Sequence, residues 1–162
     1  MRNQLKAMAK GVVLNSHFEQ KSQVYTEHMV HKYEIRVRYS DTDQMQRLHH
    51  AAYAEYLEVV RIEFLRSIGM AYKSVEEAGY LLPVSTLEIS YRKGALYDDV
   101  IVFETTLEMK SDVRIAFHSR LFVDTALIAE ACVELACIAA DSHRPVRMPE
   151  SMRSILADVA IN

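Results

Sequence analysis

Glycine is scarce in this sequence. Of 162 residues only Gly11, Gly69, Gly79 and Gly94 are glycine. None is spaced to form G-x-G-x-x-G, a P-loop or G-x-S-x-G, which excludes a dinucleotide fingerprint, a phosphate-cradling loop and a serine-esterase elbow. Positive charge is not in excess either: the formal net charge is -3 and the pI about 6.2, so the electrostatic footprint of a nucleic-acid binder is missing. No apolar stretch approaches the roughly 18 residues of a membrane span. Val12-Val-Leu is too short to follow the basic Met1 to Gly11 as the apolar segment of a secretory signal. Cys132 and Cys137 are the two cysteines, five apart in a strand-like segment, so they face opposite sides and neither bridge nor share a metal; two thiols fit a reducing cytoplasm. Asp41, Asp43, His49 and His50 could be imagined around a metal, but no H-E-x-x-H or comparable spacing supports it, and neither metal nor cofactor is expected.

What is present is periodicity. Residues 1–28 mix Lys, Gln, Ser and His without a sustained period and read as an extension, with one domain over 29–162. Tyr33, Ile35, Val37 and Tyr39 alternate with Lys32, Glu34, Arg36 and Arg38, the period of a half-buried strand. Tyr53, Leu57, Val60, Phe64 and Ile68 then recur at steps of three and four, predicting a long amphipathic helix closed by Gly69, with a short second helix over Tyr72 to Ala78. Four more strands are predicted around 87–92, 101–109, 113–123 and 131–137, with turns at Lys110-Ser-Asp and Asp124-Thr-Ala, before a helical tail. One strand, one long helix and four strands make an α+β fold, a five-stranded antiparallel sheet wrapped around the helix. Such a sheet leaves edges to bury, so a homodimer is expected.

The unusual chemistry lies between the first strand and the long helix, where Tyr39, Asp41, Asp43, His49, His50 and Tyr53 crowd into one stretch. Between Gln44 and Ala52 there is no Ser, Thr, Asp or Asn to cap the helix, which predicts free amides at its start. Free amides at the positive end of a helix dipole suit a carbonyl oxygen that gains charge during acyl transfer. Asp43 reads in two ways, as base or nucleophile towards a thioester or as a turn residue bonding its own backbone.

Tyr39, Asp43, His50, Tyr53, Glu58 and Arg61, in that spacing, resemble the signature of the 4-hydroxybenzoyl-CoA thioesterase branch of the hotdog-fold thioesterases, especially the small acyl-CoA thioesterases of the Tol-Pal-associated type. The resemblance continues through Tyr91-Arg-Lys-Gly-Ala-Leu-Tyr-Asp98-Asp99 and Arg144-Pro-Val-Arg-Met-Pro149, covering roughly 32–156. It implies the hotdog fold, acyl-CoA as substrate and hydrolysis to a carboxylic acid and CoA. It further implies Asp43 as the reacting acid, His50 as its assistant, Tyr39 beside the acid, and active sites between the subunits of a homodimer or homotetramer. Glu58 is a candidate second carboxylate, read equally as an i,i+3 ion pair with Arg61. Tyr53 is expected to pack on the helix rather than react and to belong to the substrate-binding residues. Arg92, Lys93, Lys110 and Arg114 flank the sheet turns where the family collects contacts to the CoA phosphates. Alternatives are a thioesterase acting on acyl carrier protein, a non-catalytic acyl-CoA-binding hotdog protein, and a hotdog dehydratase.

Overall fold

The computed structural model describes residues 29–161; the expected extension over 1–28 lies outside them. In chain order the elements are β1 (His31–Arg36), α1 (His50–Ser67), α2 (Tyr72–Glu77), β2 (Tyr80–Leu81), β3 (Val84–Tyr91), β4 (Val100–Ser111), β5 (Arg114–Val123), β6 (Ala126–Ala136), β7 (Ile138–Ala139) and α3 (Glu150–Ala157). Five strands form one antiparallel sheet in the order β1-β4-β5-β6-β3, and β2 pairs β7 apart from it. The α+β expectation holds, with β4, β5 and β6 as its meander.

Register explains which residues meet α1. Phe103 pairs Leu121, Leu107 pairs Phe117, and Phe117 pairs Val133, so one face of the sheet carries these side chains, all at most 3% exposed. Tyr53, Leu57, Val60 and Phe64 of α1 are buried to the same degree, and the Phe64 ring stands edge-on to Phe117 at 5.4 Å. Within this apolar layer the Thr105 and Ser119 hydroxyls are buried 2.8 Å apart and satisfy each other. The other face carries Lys32, Glu104, Glu108, His118, Glu130 and Glu134, three of the acids in ion pairs and Glu108 hydrogen-bonded to His118.

Gly69 ends α1 as predicted. It adopts φ +80, the Gly69 amide donates to Arg66 O at 3.0 Å and the Met70 amide to Leu65 O at 2.9 Å, the paired bonds of a Schellman cap with apolar Met70 folded back beneath it.

Two expectations need correction. The first strand ends at Arg36, not at Tyr39: Val37 still exchanges backbone bonds with Asp98 and Asp99, but Tyr39–Asp41 is a 3-10 turn. The turn is held by the Arg38 guanidinium on the Asp41 carboxylate at 2.8 and 3.1 Å and by the Tyr56 hydroxyl on Asp41 Oδ2 at 2.6 Å. The strand expected over 131–137, β6, begins at Ala126, five residues before its alternation becomes visible at Ala131.

Candidate functional site

The loop from β1 to α1 is a tight reversal built around Asp43. The Asp43 amide donates to Arg47 O at 2.8 Å and the Gln46 amide to Asp43 O at 2.9 Å, with Gln46 at φ +60. The Asp43 carboxylate serves the same turn, since Oδ1 accepts from the Met45 amide at 2.8 Å and the Arg47 amide at 3.2 Å. Among the described residues, Oδ2 receives no hydrogen bond. One oxygen therefore orients the carboxylate while the other is left to a ligand or water.

Asp43 and His50 line one open cavity of about 330 Å³ together with Tyr53, Tyr91, Arg92 and Lys93. Tyr53 is 2% exposed, and its ring meets Tyr91 edge-on at 5.0 Å. Burial pushes the Tyr53 hydroxyl above its usual titration range, and the Ala95 backbone beside it acts the other way. It is a neutral wall of the cavity. The Tyr91 hydroxyl donates to His50 O at 3.3 Å, tying the end of β3 to the first residue of α1.

The helix start differs from the expectation of free amides. His49 caps it: its Nδ1 accepts from the Ala51 amide at 3.2 Å, and the Ala52 amide donates to His49 O at 3.0 Å. Nδ1 stands as many bonds from Cα as the Oδ1 of Asn or Asp, which lets an imidazole fill a position where those residues are usual. Among the described residues the His50 amide has no acceptor, so the free donor of this turn narrows to His50, which also lines the cavity.

Four expected site residues are not brought to this cavity. Tyr39 is 78% exposed, with its ring edge-on to Tyr97 at 5.5 Å. Glu58 is exposed on α1 with its carboxylate 3.9 Å from the Arg61 guanidinium, the ion-pair arrangement rather than a second acid in the cavity; Arg61 itself is buried. Lys110 lies 3.3 Å from Glu108, and Arg114 pairs with Glu134. Both are occupied on the polar face of the sheet. Arg92 lines the cavity but is shared with Glu130, 3.0 Å from its Nε. Arg47, unforeseen from the sequence, lines the cavity as well. The signal was its position four residues after Asp43, where a narrow turn carries the side chain back to the same side.

Asp41 belongs to the scaffold. The Arg38 hydrogen bonds hold its carboxyl below the usual carboxylate range, with Tyr56 and Ser40 adding to this against partial burial. A carboxyl with a depressed folded-state pKa contributes stability that is present above its unfolded value, about 3.9, and is lost as pH falls through the folded one. Asp41→Asn should therefore flatten the acid limb of a urea-midpoint profile taken below about pH 4. Glu108, depressed chiefly by its His118 bond, keeps some slope in the variant. An acid limb identical to wild type would remove Asp41 from this role.

Among the described residues no helix is long and apolar enough to cross a membrane. A family model described as thioesterase-like superfamily matches residues 37–156. Acyl-CoA thioesterase YbgC of Haemophilus influenzae is 31% identical over 121 residues, 74% of this chain and 89% of that protein. The chloroplastic acyl-acyl carrier protein thioesterase ATL3 of Arabidopsis thaliana is 32% identical over 127 residues, 76% of this chain and 66% of that one. Among solved structures, the DHNA-CoA thioesterase of Staphylococcus aureus superposes with a TM-score of 0.76 at 28% identity, covering 80% of this chain and 90% of its own.

Proposed function

This chain belongs to the thioesterase-like superfamily, and from that premise we propose that it hydrolyses an acyl-CoA thioester to a carboxylic acid and CoA. The observation that carries the reading is the convergence of the Asp43 carboxylate and the first residue of α1, His50, on one cavity. Water held at Asp43 Oδ2 gives up a proton as its oxygen attacks the thioester carbonyl carbon. The carbonyl oxygen takes the negative charge beside the His50 amide at the positive end of α1. The carbon–sulfur bond then breaks, and the proton passes from Asp43 to the departing thiolate. The His50 imidazole, lining the same cavity, holds the water, and Tyr53 with Leu48 excludes bulk solvent on one side. No metal or cofactor enters this scheme.

A panel of acyl-CoA substrates assayed for free thiol, with Asp43→Asn as control, tests the reading; the same panel presented on acyl carrier protein separates the two carriers that the relatives' names contain. Absence of thiol release from every thioester would overturn it.

The active unit is a homodimer, or a homotetramer of such dimers, formed through β3. Among the described residues this strand pairs β6 on one side only, and its Val84, Leu87 and Tyr91 are 47%, 42% and 51% exposed. An apolar edge with unpaired backbone groups is a template for a second copy. Tyr91 stands both on that edge and in the Asp43 cavity, so a partner there would close a site that is open in one subunit. Leu87→Lys should shift the mass in solution toward the monomer and lower turnover at least ~tenfold. A dimer of unchanged stability would reject this edge. Both cysteines are free thiols, which suits a cytoplasmic enzyme.

A further inference from the structure

Most cations among the described residues lie within 4.0 Å of a carboxylate. Arg47 and Lys93 do not, and both line the Asp43 cavity and a second one of about 330 Å³ beside it. These cations form the wall between the two spaces.

The wall has a built geometry. The backbone of Arg47 is fixed to Asp43 through both its amide and its carbonyl, and an antiparallel bridge joins it to Leu96. The Arg47 stem lies across Gly94: a Cβ at that position would come 2.9 Å from Arg47 Cδ, and an Arg47 terminal nitrogen donates to Gly94 O at 3.3 Å. Gly94 has no left-handed φ. Its lack of a side chain makes room for the arginine.

Because both cations line the Asp43 cavity, an anion held at this wall shares that cavity with the thioester. The pantetheine arm between thioester and diphosphate is about as long as four extended residues, ~14 Å, so with the thioester at Asp43 the diphosphate lies further off. The second cavity also carries Asp99 and Asp124, which repel an anion that goes deeper, although one oxygen of Asp99 is taken by the Leu96 amide at 2.7 Å. An anionic acyl group beside Asp43 is disfavoured unless a cation neutralises it, and Arg47 is placed to do so.

Resting on the thioesterase reading, we propose that Arg47, seconded by Lys93, selects acyl groups that carry a carboxylate, the CoA monothioesters of short dicarboxylic acids. The test compares kcat/KM for glutaryl-CoA with that for valeryl-CoA, a pair of equal chain length. Arg47→Gln should lower the glutaryl-to-valeryl ratio by ~tenfold or more, the usual weight of a hydrogen bond to a charged group, and Arg47→Lys should restore part of it. Gly94→Ala, which keeps the cation but pushes its stem off the wall, should lower the same ratio. An unchanged ratio in both Arg47→Gln and Gly94→Ala overturns the inference while leaving the hydrolase intact. Equal loss on both substrates that disappears with the matching pantetheine thioesters assigns Arg47 to the CoA phosphates and also overturns it. Wild-type protein that releases thiol from other acyl-CoA thioesters but not from glutaryl-CoA overturns this inference alone, whereas release from no thioester of the wider panel defeats the thioesterase reading and this inference with it.

Discussion

Asp43→Asn is expected to lower kcat/KM for acyl-CoA hydrolysis at least ~hundredfold, about 3 kcal/mol of barrier, with little change in folding stability. The two halves of that expectation separate the roles of one side chain. Asparagine keeps an Oδ1 acceptor for the Met45 and Arg47 amides, so the turn that shapes the loop persists. What it loses is the second carboxylate oxygen, replaced by an amide nitrogen that neither takes a proton from water nor attacks a carbonyl carbon. Asp43→Ala removes both functions and should cost stability as well as rate. Turnover near wild type in the Asn variant would reduce Asp43 to a turn residue. A single turnover in oxygen-labelled water resolves the step itself: label that enters only the product acid fits Asp43 as base, whereas label in the Asp43 carboxylate requires an anhydride.

The same residue shows how far sequence reaches. The sheet and the long helix were legible because each buries one face, and burial writes its period into the residues: two along Ile101, Phe103, Thr105 and Leu107, three to four along Tyr53, Leu57, Val60 and Phe64. The limits appear where the period persists but the backbone bonds do not. Val37 and Tyr39 continue the alternation of β1, yet the Arg38–Asp41–Tyr56 network turns the chain out of the sheet, and Tyr39 ends on the surface. β2 and β7 are two residues each, too short to show any period. The helix cap was overlooked because histidine is an uncommon capping residue, although His49 has an acceptor at the right distance along its side chain. Charge partners are not readable from a linear pattern either. Arg114 resembles a phosphate contact until the register of β5 and β6 sets it against Glu134, and Lys110 is taken by Glu108, two residues back on the same face of β4, while Arg47 gained its place from the fold of the Asp43 turn.

Phe64→Ala should cost about 3–5 kcal/mol of folding stability, a large share of the ~5–15 kcal/mol of a typical domain. Phe64 is fully buried, its ring packed edge-on to Phe117 at 5.4 Å and tilted against His31 at 5.3 Å. The neighbours cannot close over the vacated space cheaply. β5, which carries Phe117, is paired on both sides by β4 and β6, and α1 is held at one end by the Gly69 cap and at the other by the His49 cap. Two fixed backbones therefore leave most of the ring's volume as cavity, whose surface loses both its dispersion contacts and its burial. Phe64→Leu, which fills much of that volume, should recover more than half of the loss. Urea denaturation of the three proteins reads the difference directly, and a loss under ~1 kcal/mol in Phe64→Ala would mean that α1 does not rest on the sheet through this residue. The kinetic consequence is distinct from that of Asp43→Asn. Phe64 lies four turns along the helix from His50 and touches no part of the cavity, so turnover per folded molecule should hold at low temperature and fall only as the unfolded fraction grows on warming.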